Sequence, residues 1–130
     1  VANSSIASSV VFRDLATSTD EFTFNIVTGS FTATGDVESN SDERLKENVE
    51  TIDNALDKVA LMRGVYFDLI AKPGNRKIGL IAQEVEKVLP EVISTSPDGE
   101  GIKSIAYANV VGILVEAIKE LKNEVDQLKG

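Results

Sequence analysis

The chain has 130 residues, 42% of them hydrophobic and 26% charged, so its length suits one modest hydrophobic core or at most two. Thirteen basic and 21 acidic residues give a formal charge of −8, which disfavours nucleic acid or an anionic membrane as the main partner. The absence of cysteine and histidine excludes disulfides, the usual zinc sites, thiolate nucleophiles and imidazole bases, and we expect no metal and no cofactor.

The first forty residues differ in composition from the rest. Residues 1–40 are rich in serine and threonine, and Arg13 is their only basic residue. Phe22, Phe24 and Ile26 alternate with polar or β-branched residues, which predicts a strand, and a turn at 28–30 leads into a second strand at 31–36. Forty such residues bury too little apolar surface to fold alone, so we expect them to pair with other copies or with a longer upstream body. We interpret residues 1–40 as the C-terminal end of a β-rich fibre.

From residue 41 onward the pattern is mixed and predicts an α+β domain of short hairpins and helices. Asp53 is a candidate cap for a helix that ends near Met62. Strands are predicted at 65–70 and 77–81 around a turn at 72–75, followed by a helix at 82–89 and a strand pair at 92–94 and 102–105. Gly64, Gly74 and Gly79 suit turns or close strand packing, and Gln83 and Glu84 suit the start of a helix.

The end of the chain predicts a long helix at about 107–129. Apolar residues recur there at alternating steps of four and three, which is the heptad pattern of a coiled coil. These positions, called the seam below, are Tyr107, Val111, Leu114, Ile118, Leu121, Val125 and Leu128. A helix packed on its own domain explains the first two turns equally well, but little chain remains to cover the seam beyond Lys119. Valine or isoleucine at a and leucine at d favour parallel dimers, so the heptads alone leave dimer and trimer open.

Residues 41–48 combine a hydroxyl nucleophile with an amine. Without histidine, Lys46 is the nearest candidate base for the hydroxyl of Ser41. Positions five apart point to opposite faces of a strand and lie about 140° apart on a helix, so the pair meets only if the chain turns or two subunits contribute. The alternative is an exposed, charged linker.

Several blocks resemble the intramolecular chaperone domain of phage tail spikes and tail fibres, also called the peptidase S74 or endosialidase chaperone family. The most specific are S-D-x-R-L-K at 41–46 and I-G-x-I-A-Q-E-V at 78–85, with supporting matches at 61–67, 90–92 and Tyr107. Members are trimeric C-terminal domains that guide folding of a β-rich fibre and then cut themselves off before the motif serine. The resemblance implies a scissile bond at Asn40–Ser41, Ser41 as nucleophile and Lys46 as base. Arg44 is then a candidate for stabilising the oxyanion or tuning the pKa of the base.

The resemblance implies that residues 41–130 form a self-cleaving chaperone with a trimeric coiled coil. Its partners are two further copies of itself and the upstream fibre of the same chain. Residues 1–40 then remain in the virion tail fibre, while residues 41–130 are released in the host cytoplasm. A non-cleaving trimeric tip or receptor-binding cap is the alternative, and a cellular protein that releases a trimer by the same cut is a third possibility. Val1 in place of an initiator methionine predicts a piece of a longer chain.

Overall fold

The computed structural model describes residues 9–14, 16, 19–25 and 29–130. The chain divides into two compact units, with the boundary between Asn48 and Val49. Ile26 and Thr28, which the sequence assigns to a strand and a turn, lie outside the described residues.

The first unit contains a three-stranded antiparallel sheet. Its strands are β1 (Ser9–Asp14), β2 (Thr19–Asn25) and β3 (Ser30–Ala33), paired in sequence order. Phe24 lies opposite Phe31 with ring centroids 5.1 Å apart, and the ring of Phe12 lies 6.2 Å from that of Phe24. The two predicted strands pair as β2 and β3, but β3 ends at Ala33 rather than at residue 36, and β1 was not predicted. All three phenylalanines remain nearly half exposed, so this sheet has an aromatic face without full cover in the single chain.

The second unit is built from three helices and two hairpins around a small core. Its elements are α1 (Ala55–Ala60), β4 (Val65–Leu69), β5 (Lys72–Gly79), α2 (Ala82–Val85), β6 (Ile93–Thr95), β7 (Lys103–Ile105) and α3 (Val110–Lys129). The buried apolar residues are Ala55, Val85, Leu89, Val92, Val110, Ile113 and Ala117. The predicted α+β class, with short antiparallel hairpins and a long C-terminal helix, is confirmed.

The turn between β4 and β5 lies earlier than predicted. Leu69 pairs with Lys72, so residues 70 and 71 form the turn, and the prediction of a turn at 72–75 is wrong. Gly74 lies within β5 at φ +78°, and its N–H donates to Asp68 Oδ2 at 2.9 Å beside a shift in strand register. A proline-glycine pair can therefore mark an irregularity inside a strand as well as a turn between two strands.

The second hairpin, β6–β7, forms as predicted, and an ion pair ties it to the segment after α2. Lys103 Nζ donates to Glu86 Oε1 at 2.8 Å and to Thr95 Oγ1 at 3.1 Å. The predicted helix at 82–89 is shorter than expected, because regular α-helix ends at Val85.

Helix α3 begins after a 3₁₀ turn at Tyr107–Asn109 and otherwise agrees with the predicted bounds. Val110, Ile113 and Ala117 recur at helical spacing and are buried, and α3 packs on α1 through this face. The helix thus uses one stripe for the core of its own unit.

The N-terminus of α1 is capped from α3 rather than by Asp53, so the predicted cap is wrong. The backbone N–H groups of Ala55 and Leu56 donate to Glu120 Oε1 and Oε2 at 3.0 and 2.8 Å. Asn54 precedes the helix in the left-handed region at φ +48°, while Asp53 accepts from Lys58 Nζ at 3.0 Å. One carboxylate therefore binds two free donors of a helix terminus and fastens α1 to α3.

This cap predicts a specific acid sensitivity. The two N–H donors hold the pKa of Glu120 below its ordinary value of 4.5, so the cap is fully formed above that pH and is lost as the pH falls through the lower folded value. Glu120→Gln should lower the free energy of unfolding at pH 7, and its difference from the parent should shrink below pH 4.5. Denaturation at fixed chain concentration, with Glu116→Gln as control, checks this. A difference that is constant from pH 7 to pH 3 would contradict it.

Gly79 provides a close approach between β5 and the turn before α3. A Cβ at this position would lie 2.8 Å from the Tyr107 hydroxyl and 3.2 Å from Phe67 Cε1. The same hydroxyl accepts the N–H of Leu80 at 3.0 Å. The prediction of close packing at Gly79 is confirmed.

We expect Gly79→Ala to lower the free energy of unfolding by about 1–3 kcal/mol, because the added methyl displaces the Tyr107 hydroxyl. Gly64→Ala is the matched control, since a Cβ there meets no atom within 4 Å. It should be neutral or stabilise by about 0.4–1 kcal/mol. Equal urea midpoints for the two variants would show that the contact with Tyr107 is unimportant.

Candidate functional site

The structure brings the two predicted reactive side chains together. Lys46 Nζ donates to Ser41 Oγ at 2.8 Å within a single chain. A 3₁₀ turn at Glu43–Leu45 lies between the two residues, so the chain is not fully extended there. The N–H of Lys46 donates to the Glu43 carbonyl at 3.0 Å, after which Lys46 returns to extended backbone.

Asp42 and Arg44 form a compact ion pair beside this contact. Asp42 Oδ1 accepts both the backbone N–H and Nε of Arg44 at 2.9 Å, and Oδ2 accepts Nη2 at 2.7 Å. These donors hold the pKa of Asp42 below its usual value, and the carboxylate raises the pKa of Arg44. Arg44 is thus bound to a neighbouring carboxylate in this structure, and its roles toward the oxyanion or the base stay predictions.

The whole segment is exposed to solvent in the single chain. Ser41, Asp42, Arg44 and Lys46 are each exposed, and so is Asn40 on the other side of the predicted scissile bond. The arrangement supplies a nucleophilic oxygen next to the carbonyl of the preceding residue and an amine within hydrogen-bond distance of that oxygen.

A second candidate surface lies on α3. The seam residues are not part of the buried core: Val125 is 39% exposed, Leu121 47%, Ile118 67% and Leu128 88%. The seam lies one residue, or about 100°, around the helix from the buried stripe of Val110, Ile113 and Ala117. Helix α3 therefore packs on its own unit and still presents a separate apolar stripe. The first feature agrees with the prediction of a helix packed on its own domain, and the second leaves the seam available for self-association.

Ser41 is the first residue of a match to a protein family. Residues 41–94 match the peptidase S74 family, which is described as the chaperone of endosialidase. The segment 41–94 belongs to this family. The peptidase S74 segment begins at Ser41, includes Lys46, and continues through α1, the β4–β5 hairpin and α2 to residue 94, ahead of α3.

Similar proteins include long tail fibre proteins Gp37 of several phages. The protein of Enterobacteria phage K3 is 38% identical over 96 residues, which cover 69% of this chain and 8% of that protein. The protein of Enterobacteria phage M1 is 36% identical over 101 residues, covering 72% of this chain and 40% of the relative. The Salmonella phage S16 protein is 33% identical over 103 residues, which cover 72% of this chain and 14% of the relative. The chain thus corresponds to less than half of each of these relatives.

Within the part of the chain that the structure describes, no cluster of three or more potential metal-ligating acidic side chains occurs. In the same part, no helix combines the length and apolarity that crossing a bilayer requires.

Sequence reasoning missed two features of residues 41–94: the cap of the 3₁₀ turn and an exposed face of the β4–β5 hairpin. Asp42 caps the 3₁₀ turn, for which the only signal was an acidic residue two positions before Arg44. The other is the outer face of the β4–β5 hairpin, where Tyr66 and Ile78 pair across the strands and are 65% and 72% exposed. The guanidinium of Arg76 lies 4.1 Å from the centre of the Tyr66 ring. Alternation of side chains in β4 and β5 was the signal that would have placed both on one face.

Proposed function

We propose that residues 41–130 act as an intramolecular chaperone that trimerises and aligns a phage tail fibre, then releases itself by autoproteolysis at Asn40–Ser41. The observation that carries this proposal is the 2.8 Å contact between Lys46 Nζ and Ser41 Oγ, at the first residue of the family match. The domain is thus a serine endopeptidase with a Ser-Lys dyad and a single turnover.

The proposed cut is an acyl shift followed by hydrolysis. The step requires the Lys46 amine in its neutral form: Nζ takes the proton of Ser41 Oγ, and the oxygen attacks the carbonyl carbon of Asn40. When the intermediate collapses, the C–N bond breaks and the Ser41 nitrogen takes the proton back from Lys46. An ester then joins Asn40 to Ser41 Oγ. Water hydrolyses that ester, which leaves a carboxylate on Asn40, restores the Ser41 hydroxyl and releases a proton that the new Ser41 amino group takes up. Because nucleophile and carbonyl belong to one segment, proximity requires no substrate binding.

Self-association through the seam is the second part of the proposal. The seam is exposed in the single chain, and four of its residues lie beyond the core residue Ala117: Ile118, Leu121, Val125 and Leu128. Covering apolar side chains of this kind stabilises an oligomer by about 25 cal/mol per Å² of surface removed from water. The heptads permit a dimer, and the family resemblance favours the trimer.

The relatives support placing residues 1–40 at the end of a tail fibre in the virion. Proteins named as long tail fibre proteins align with most of this chain, and the Phe12, Phe24 and Phe31 face of the β1–β3 sheet is incompletely covered. We propose that these strands complete their packing with the other two copies. The released residues 41–130 then remain in the host cytoplasm.

The proposed role of the chaperone is to align three chains so that their strands can pair in register. Pairing strands between chains requires contacts that are remote in sequence, and the entropy of closing them slows folding. The second unit has mostly local elements, namely two hairpins and three helices, so it can fold first. Once three copies associate, the adjoining strands are held in register.

The proposal predicts that release makes the fibre kinetically stable. If the attached domain lowers the barrier in both directions, then removing it slows unfolding. The full-length fibre should be compared in its processed form and as the uncut Ser41→Ala variant, in heat and detergent. Processed fibre should survive at least about tenfold longer and then fail to refold, whereas the uncut form should unfold sooner and recover. Equal lifetimes and equal recovery would remove the folding role from the proposal.

A further inference from the structure

The contact between Ser41 and Lys46 depends on a very short piece of structure. In an extended strand, positions five apart would be separated by about 16 Å, and on an α-helix they would point in different directions. Only the 3₁₀ turn at Glu43–Leu45 brings the two side chains together. One isolated, exposed 3₁₀ turn is marginally stable, so the bonds that close it decide how often the contact forms.

The carboxylate of Asp42 closes this turn. It accepts the backbone N–H of Arg44 at 2.9 Å, as an N-cap does, and the Asp42 carbonyl accepts the N–H of Leu45 at 3.1 Å. Both of its oxygens also bind the Arg44 guanidinium, at 2.9 and 2.7 Å. Asp42 and Arg44 therefore form a clamp across the first half of the turn.

The clamp also affects which group Lys46 binds, because the Asp42 carboxylate and the Ser41 hydroxyl are both possible partners. Lys46 is close enough to contribute to the lowered pKa of Asp42, after the larger contributions from Arg44. A carboxylate without its arginine would attract the Lys46 ammonium and draw it from Ser41. In the structure Arg44 binds both oxygens of Asp42, and Lys46 Nζ lies on Ser41 Oγ.

We infer that Asp42 is a positioning residue for the Ser41–Lys46 dyad and that Arg44 acts through Asp42. The inference rests on the proposed autoproteolysis and extends it. The clamp forms no bond to the reacting atoms in this structure: it holds the turn and keeps a competing carboxylate away from the base.

Cleavage of the full chain tests the clamp through a double-mutant cycle. Asp42→Ala should slow the cut about 10- to 100-fold, because small displacements of catalytic groups have effects of this size. Asp42→Asn should be intermediate, since its amide oxygen still accepts the Arg44 N–H. Arg44→Ala should resemble Asp42→Ala, and the double variant should be no slower than either alone. Glu43→Ala, in the same turn but outside the clamp, should cut at the parental rate. Oligomeric state and melting temperature should be unchanged in all variants.

Two results would overturn the inference. One is parental cleavage by Asp42→Ala. The other is a much larger loss of cleavage rate in Arg44→Ala than in Asp42→Ala, which would mean that Arg44 acts directly on the oxyanion.

If the parent chain does not cut at all, the proposed function fails. The clamp is then tested separately in the Ser41→Ala chain by NMR titration. There, the Asp42 carboxyl should titrate below its ordinary pKa and return to it in the added Arg44→Ala background. If the Asp42 carboxyl has its ordinary pKa in the Ser41→Ala chain, and Arg44→Ala leaves that pKa unchanged, the clamp is excluded.

Discussion

Ser41→Ala and Lys46→Ala should each stop cleavage at Asn40–Ser41 and leave the protein folded and oligomeric. In the proposed mechanism Ser41 supplies the attacking oxygen, and alanine has none, so the rate should fall by at least about a thousandfold. Both side chains are exposed and lie outside the buried core, so neither truncation creates a cavity. Electrophoresis and mass spectrometry of the expressed chain give the extent of cutting directly.

Lys46→Arg separates the role of a base from that of a positive charge. Arginine keeps the charge and can reach the hydroxyl, but it does not lose its proton near neutral pH. This variant should therefore be as inactive as Lys46→Ala. Ser39→Ala and Lys77→Ala are matched controls on exposed residues of the same types and should cut normally. Normal cutting by either alanine variant of the dyad would show that the assignment is wrong.

The contact within one chain also predicts which subunit supplies each group. Lys46 reaches Ser41 of its own chain at 2.8 Å, so the proposed dyad needs no side chain from a neighbour. In mixed oligomers of Ser41→Ala and Lys46→Ala chains, the Lys46→Ala chain retains its serine and the other retains its lysine. We expect no cleavage in such mixtures. Restored cleavage of the Lys46→Ala chain would mean that lysine acts between subunits.

Leu121→Asp should dissociate the oligomer. Leu121 occupies a d position of the seam and is 47% exposed in the single chain, and in the proposed oligomer another copy covers it. An aspartate there would be buried without a partner, and we expect the dissociation constant to rise by more than about a hundredfold. The fold of each chain should survive, because the core stripe of α3 is Val110, Ile113 and Ala117.

Asn123→Asp is the control for this substitution. It adds the same charge on the same helix at an exposed position outside the seam, and should leave the oligomer intact. Analytical ultracentrifugation of the full chain gives the mass of each variant and also distinguishes dimer from trimer in the parent. A monomeric parent, or an unchanged oligomer with Leu121→Asp, would contradict the role of the seam.

Periodic features were predictable from the sequence because each depends on neighbouring residues. Alternation at Phe22 and Phe24 predicted β2, and steps of three and four predicted α3. The same helix also packs on its own unit through Ile113, which the heptads alone left undecided. Local chemistry misled at Pro73 and Gly74, where turn-forming residues lie inside β5.

Contacts set by tertiary structure were beyond such reasoning. Glu120 caps α1 from 65 positions away at Ala55, and nothing near Asp53 signals this. The Ser41–Lys46 spacing fits neither strand nor helix, so their contact required a 3₁₀ turn whose closure depends on Asp42. Family resemblance predicted Ser41 and Lys46 as the dyad, and the structure shows how the two side chains meet.

Intact mass spectrometry of the unaltered full-length protein, purified as its native oligomer, tests the central claim most directly. The account predicts two products, one ending at Asn40 and one beginning at Ser41, with the mass of water added across the pair. A single uncut mass in a stable oligomer, or a product that begins at another residue, would contradict autoproteolysis by the Ser41–Lys46 dyad.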